Sequence, residues 1–195
     1  MAAQRVLVRE GAPSPYMFVV REGWVLKFDL LPNGGRQIID ILLPGDSSSY
    51  EELFQSQAPS TLFTLTDAEI CQFEREEILD ICKDTPTDIR RYGPILGDNY
   101  SRLRMLLGAV GRQKAEARVA SLILMLHERL RKVKYATETD MPFPLRQRDV
   151  ANLLGMTQVH VSRVMAAMQK RGVIRKRAAQ LTIENFSELI ELAES

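Results

Sequence analysis

Residues 145–177 read LRQRDVANLLGMTQVHVSRVMAAMQKRGVIRKR, and this stretch decides the fold. Val150, Leu153 and Leu154 make one apolar stripe at helical spacing. Gly155 breaks it, and Thr157 supplies a side-chain oxygen suited to capping a second helix. In that second helix Val161, Val164, Met165 and Met168 fall at i, i+3, i+4 and i+7, so they share one buried face. At roughly 100° per residue the opposite face carries Val159, Ser162, Arg163 and Ala166, flanked by Gln158. Small side chains beside one arginine suit close approach to a base-pair edge, where arginine makes its bidentate contact to guanine. A helical hairpin buried in a core would share these features. The residues downstream separate the two possibilities. Arg171-Gly172 ends the helix, Val173-Ile174 opens a short apolar strand, and Leu181-Thr182-Ile183 returns. Arg175, Lys176 and Arg177 sit on the strand's exit, as in a winged helix-turn-helix whose wing meets phosphate. Duplex DNA is the implied partner.

Charge supports the same division. The net charge of +1 over 195 residues hides −7 in residues 1–84, +2 in 85–111, +10 in 112–180 and −4 in 181–195. A basic block that coincides with the helix-turn-helix is the electrostatic footprint of nucleic-acid binding. The acidic N-terminal part would be repelled by phosphate and must do something else. Cys71 and Cys82 are too few and too isolated for a disulfide framework, and His127 and His160 have no nearby ligand set, so neither a metal site nor a redox switch is expected. No apolar run approaches the ~18 residues of a membrane span and no signal-peptide layout is legible, which points to the cytoplasm. No nucleophile–base pair or phosphate-cradling glycine loop argues for an enzyme.

Upstream, residues 5–73 read as short strands divided by glycine turns: Arg5–Arg9, Tyr16–Val20, Trp24–Leu30, Arg36–Leu43, Thr61–Thr66 and Glu69–Phe73. Such spacing predicts an all-β sandwich or barrel. Ile38–Leu43 lacks alternation and reads as a strand buried on both sides. From Glu74 the period becomes helical, with Ile78, Leu79 and Ile81-Cys82 on one face. A second helix comes next, kinked or started afresh at Gly93-Pro94, because an interior proline removes a backbone hydrogen bond. Its stripe of Ile95, Leu96, Tyr100, Leu103, Leu106, Leu107 and Val110 is close to heptad spacing, suited to pairing with a second copy or to packing on the N-terminal domain. Gly108–Gly111 is the expected joint, Ala115–Lys134 the next helix, and Tyr135–Pro144 a linker into the helix-turn-helix. Three parts result: a β-roll over 1–84, a dimerisation helix and hinge over 85–111, and a winged helix-turn-helix over 112–195.

Taken in this order, the chain resembles the cyclic-AMP receptor protein / fumarate–nitrate regulator (Crp/Fnr) family of bacterial transcription factors over essentially its whole length. The carrying residues are Val8-Arg9-Glu10-Gly11, the Gly23 turn, Leu31–Ile39, Pro44-Gly45-Asp46 and above all Gln147–Arg163. The resemblance implies an α+β chain with an N-terminal double-stranded β-helix (a jelly-roll like that of cyclic-nucleotide-binding domains). A long dimerisation helix and a C-terminal winged helix-turn-helix would complete it. It implies a homodimer that sets two recognition helices, here Thr157–Arg171, in major grooves about 34–36 Å apart on a roughly palindromic site. RNA polymerase is the further partner it implies. A sensing module acting through protein contacts, without DNA, is the competing function.

The resemblance also assigns residues. Arg163 matches the family's guanine-reading arginine, with Gln158, Val159 and Ser162 beside it. Val159 stands where the family often has a glutamate for cytosine; an apolar side chain there suits a thymine methyl, so the half-site is expected to differ. Gln147, Thr157 and His160 match phosphate-contacting positions, with Arg146 a further candidate and Arg175, Lys176 and Arg177 in the wing. In the roll, Tyr50, Glu51, Glu52, Ser60 and Thr61 occupy the family's effector positions, and Leu103-Arg104 stands where its long helix carries a Thr-Ser pair. No arginine stands where a cyclic phosphate needs one, and Glu51-Glu52 would repel that charge, so cyclic AMP is not the expected effector. The N-terminus carries no cysteines for an iron–sulfur cluster, and no haem ligand can be named. The cofactor is left unknown.

Overall fold

The computed structural model describes residues 1–48, 51–83, 97, 100–104 and 114–195. The chain divides into two compact units, Met1–Met105 and Leu106–Ser195. The first is the roll. Its strands are β1 (Val6–Val8), β2 (Tyr16–Glu22), β3 (Val25–Leu30), β4 (Arg36–Leu42), β5 (Thr61–Thr64) and β6 (Glu69–Glu74). One sheet runs β1-β5-β3-β4 and a second pairs β2 with β6, all antiparallel. Inward residues Phe18, Val20, Val25, Leu42 and Leu62 form the core between them. The missing alternation in Ile38–Leu43 has a geometric cause. Lys27 faces Asp40 and Phe28 faces Ile38, so Ile39 is the extra residue of a bulge. Beyond it Ile41, Leu42 and Leu43 are all buried.

Two glycines set turns in a backbone region that other residues rarely adopt. At Gly23 (φ +91°) an added Cβ would lie 2.3 Å from the Asp67 carbonyl oxygen, so two turns approach each other there. At Gly45 (φ +93°) the backbone N–H donates to Val20, and the next residue, Asp46, accepts the Leu43 N–H on its carboxylate. Helix α1 (Arg75–Lys83) follows β6 directly. Residues 100–104 are helical, and Arg102 divides its guanidinium between Asp40 and Asp46, both at 3.1 Å. The expected kink at Gly93-Pro94, the joint at Gly108–Gly111 and the stripe residues Ile95, Leu96, Leu106, Leu107 and Val110 lie outside the described residues. Of that stripe, Tyr100 (64 % exposed) and Leu103 (43 %) are described, and both face solvent in the single chain.

The second unit begins with α2 (Ala115–Lys132), whose residues Leu122, Ile123, Leu126 and Leu130 are fully buried. Strand β7 (Asp140–Pro142) comes next, then α3 (Gln147–Leu154), α4 (Gln158–Lys170), β8 (Ile174–Arg177), β9 (Gln180–Ile183) and α5 (Phe186–Glu194). The sheet order is β7-β9-β8. The reading of Tyr135–Pro144 as a linker is thereby corrected: its middle is an edge strand with Asp140, Met141 and Pro142 opposite Thr182, Leu181 and Gln180. Pro142 is tolerated because an edge strand leaves one side of the backbone unpaired. The cause is non-local. Met141, Phe143 and Leu145 are buried in the domain core, and Thr182 donates a 2.6 Å hydrogen bond to the Asp140 carboxylate. That bond holds the Asp140 carboxyl below its usual range.

Candidate nucleic-acid interface

The helix-turn-helix is assembled from local signals. Asp149, third residue of α3, accepts the Arg146 backbone N–H at 2.9 Å, placing a carboxylate at the positive end of the helix. At the other end Gly155 takes the left-handed conformation (φ 63°, ψ 41°), and the Met156 N–H returns to the Ala151 carbonyl. The Arg118 guanidinium, on α2, donates to the Leu154 carbonyl at 3.2 Å, a cation at the negative end. Thr157 then caps α4: its hydroxyl oxygen accepts the His160 N–H at 3.2 Å. Val161, Val164, Met165 and Met168 are buried as their spacing requires.

The opposite face of α4 is left open. Gln158, Val159, His160, Arg163 and Ala166 are exposed, Val159 by 61 %, while Ser162 is half-buried. Ser162 accepts a hydrogen bond at 3.3 Å from the side-chain amide of Gln147, the first residue of α3. Arg146 and Gln147 line a cleft of about 220 Å³ between α3, α4 and the wing, together with Gln169 and Lys176.

The cations are not equivalent. Arg171 is balanced by Glu188 (Nε–Oε1 2.9 Å) and Glu116 (3.5 Å). In the wing Arg175 pairs with Glu184 at 2.7 Å. Lys176 folds back, its ammonium donating to the Ala178 carbonyl at 2.7 Å and standing 5.7 Å from the Phe143 ring centre. Burial lowers its pKa below the ordinary lysine value. Arg163, Lys170 and Arg177 are exposed and make no ion pair among the described residues. Lys170 is a residue that the pattern of the sequence does not single out. The available signal is its position seven residues after Arg163, which puts both on one face. Gln169 escapes sequence reasoning as well: its side-chain oxygen accepts the Lys176 N–H at 3.1 Å and fixes the wing to the end of α4.

The effector positions of the roll present a different picture. The Ser60 hydroxyl donates to Asp29 at 2.6 Å, and the Thr61 hydroxyl oxygen accepts the Glu10 N–H at 3.1 Å. Both residues are buried, and so is Glu52, which holds the Ser48 hydroxyl. Leu103 and Arg104 are exposed, the Arg104 guanidinium over the Tyr100 ring at 6.0 Å. Tyr50 and the side chain of Glu51 lie outside the described residues. Among the described residues no group of His, Cys, Asp and Glu is placed to hold a metal, and no helix is long and apolar enough to cross a membrane.

Comparison with known proteins gives the same two-part division. Residues 1–85 match the cyclic nucleotide-binding domain and residues 117–192 the Crp-like helix-turn-helix domain. The nitrogen fixation regulation protein FixK of Bradyrhizobium diazoefficiens is 31 % identical over 159 residues, covering 80 % of this chain and 64 % of that protein. An anaerobic regulatory protein of Aggregatibacter actinomycetemcomitans is 24 % identical over 97 % of this chain and 73 % of its own length. The solved structure of FixK2 from Bradyrhizobium japonicum superposes with a TM-score of 0.87 at 23 % identity, over 98 % of this chain and 93 % of that one. With its roll, its winged helix-turn-helix and these relatives, the chain belongs to the Crp/Fnr family of DNA-binding transcriptional regulators.

Proposed function

We propose that the chain works as a homodimer reading a roughly palindromic site, with α4 of each copy in a major groove and the tip of each wing on the backbone. One observation carries this reading: Arg163 stands exposed and without an ion pair among the described residues, on the face of α4 opposite the buried methionines. Its neighbours Arg171 and Arg175 are already neutralised within the domain. An uncommitted guanidinium beside an exposed Val159 and a hydroxyl suits a guanine next to a thymine methyl. Gln147, Thr157, His160, Arg146, Lys170 and Arg177 then contact phosphate and fix the register. Exposed Tyr100 and Leu103 belong to the stripe that pairs the two copies.

In this reading the roll receives a signal in the cytoplasm and RNA polymerase receives the output. The acidic Glu51-Glu52 pair disfavours an anionic effector. Selection of bound sequences from random DNA tests the proposal: it should return two half-sites about 10 base pairs apart, each with a guanine. Affinity should fall steeply with salt. Only monomer in sedimentation at micromolar concentration would remove the two-half-site arrangement.

A further inference from the structure

The hydrogen bond between Gln147 and Ser162 joins the start of α3 to the middle of α4 across the helix-turn-helix, and neither helix needs it to fold. Gln147 is exposed, and α3 already has its N-terminal acceptor in Asp149. α4 is capped by Thr157. What the bond does is settle the direction of a hydroxyl. The Gln147 amide N–H donates to Ser162 Oγ at 3.3 Å, so one of the oxygen's two lone pairs is turned toward α3. The O–H and the second lone pair remain, and with one of its two accepting positions filled Ser162 is biased toward donating on the face that also carries Val159 and Arg163. A hydroxyl left to rotate accepts from or donates to any base edge and therefore discriminates little.

We infer that Gln147 is a positioning residue for sequence readout: it orients the Ser162 hydroxyl toward donating, which favours a base presenting an acceptor (thymine O4, guanine O6/N7 or adenine N7) over cytosine, beside the base read by Arg163. The inference rests on α4 being the recognition helix, and it adds to the phosphate contact proposed for Gln147 a role that only a base-by-base measurement detects.

The test uses the full chain and the selected half-site, with every single base-pair change measured for wild type, Gln147→Ala, Ser162→Ala, the double variant, Gln147→Glu and Arg163→Ala. Circular dichroism confirms folding; Gln147 and Arg163 are exposed and Ser162 is half-buried. At one base pair wild type should prefer an acceptor base by about fivefold, the size of one neutral hydrogen bond. Gln147→Ala and Ser162→Ala should each reduce that preference to below about twofold at the same position, and the double variant should lose no more than either. Gln147→Glu is the sharpest arm. A carboxylate only accepts, so it draws the hydroxyl proton inward and leaves Ser162 offering a lone pair outward. Preference at that base pair should move toward adenine N6 or cytosine N4, on top of a uniform loss from the added negative charge. A uniform loss on all sequences with no change of preference in the Gln147 variants, or unchanged preferences in Ser162→Ala, would overturn the inference. If Arg163→Ala also leaves every preference unchanged, the recognition-helix reading fails with it. If Arg163→Ala alone relaxes a guanine, only the role of Gln147 is lost.

Discussion

The two units use polar side chains in opposite ways. In the roll, hydroxyls and carboxylates are turned inward onto the chain's own groups: Thr61 takes the Glu10 N–H, Thr66 the Trp24 N–H, Asp46 the Leu43 N–H, and Ser60 donates to the Asp29 carboxylate. In the helix-turn-helix unit the inward groups do the same capping work at Asp149 and Thr157, but a set of others is held outward with no internal partner among the described residues. Such exposed donors are satisfied by water, and an external acceptor can take the place of that water. The contrast also corrects charge counting. Of the basic residues from 163 to 177, Arg171, Arg175 and Lys176 are engaged internally, so the net +10 of residues 112–180 overstates the number of phosphate contacts.

The largest effect tests whether the units are separate in stability. Leu126 is fully buried on α2, and Leu126→Ala should remove about 2–5 kcal/mol. Denaturant unfolding should show the loss in the helical transition while near-UV signal from Trp24 in the roll is retained. Gly23→Ala is the matching change in the roll. It sets a Cβ 2.3 Å from the Asp67 carbonyl oxygen at φ +91°, and about 2 kcal/mol or more should be lost there. DNA affinity measured in a truncated second unit would not register it.

The next two changes probe the outward-held cations. Arg163→Ala should cost about 1–3 kcal/mol of specific binding and relax one guanine. An equal loss on every sequence would show that it meets only phosphate. Arg177→Ala should weaken binding to all sequences alike and lower the salt slope by about 1, whereas Arg175→Ala should move it less, because Glu184 already occupies that guanidinium. The smallest effect is in pH. His127 is buried, its Nε2 3.1 Å from the Thr137 carbonyl and its ring 5.1 Å from that of Phe186. Burial outweighs the carbonyl and holds its pKa below 6.5, and Arg131 lowers it further. The unfolded chain therefore binds the proton first. Stability of the second unit should be full above pH 6.5 and decline as pH falls from there toward the folded pKa. His127→Gln should flatten that part of the profile; an unchanged slope would assign it to other groups.

The linear order of residues settled whatever the chain decides within a few positions. The α4 face follows from 3.6-residue periodicity, its start from a hydroxyl at Thr157, the α3 stop from Gly155, and the roll's strands from their glycine turns. Those forces act between neighbours, so spacing alone reveals them. The tertiary structure decided what depends on partners far along the chain. Residues 140–142 became a strand because Thr182 and Leu181 lie opposite them, Ile39 became a bulge because β3 counts one residue fewer, and Arg175 differs from Arg177 because Glu184 reaches only the first. Pairing energies of this kind act between groups brought near by the fold, and no local pattern encodes which group that will be.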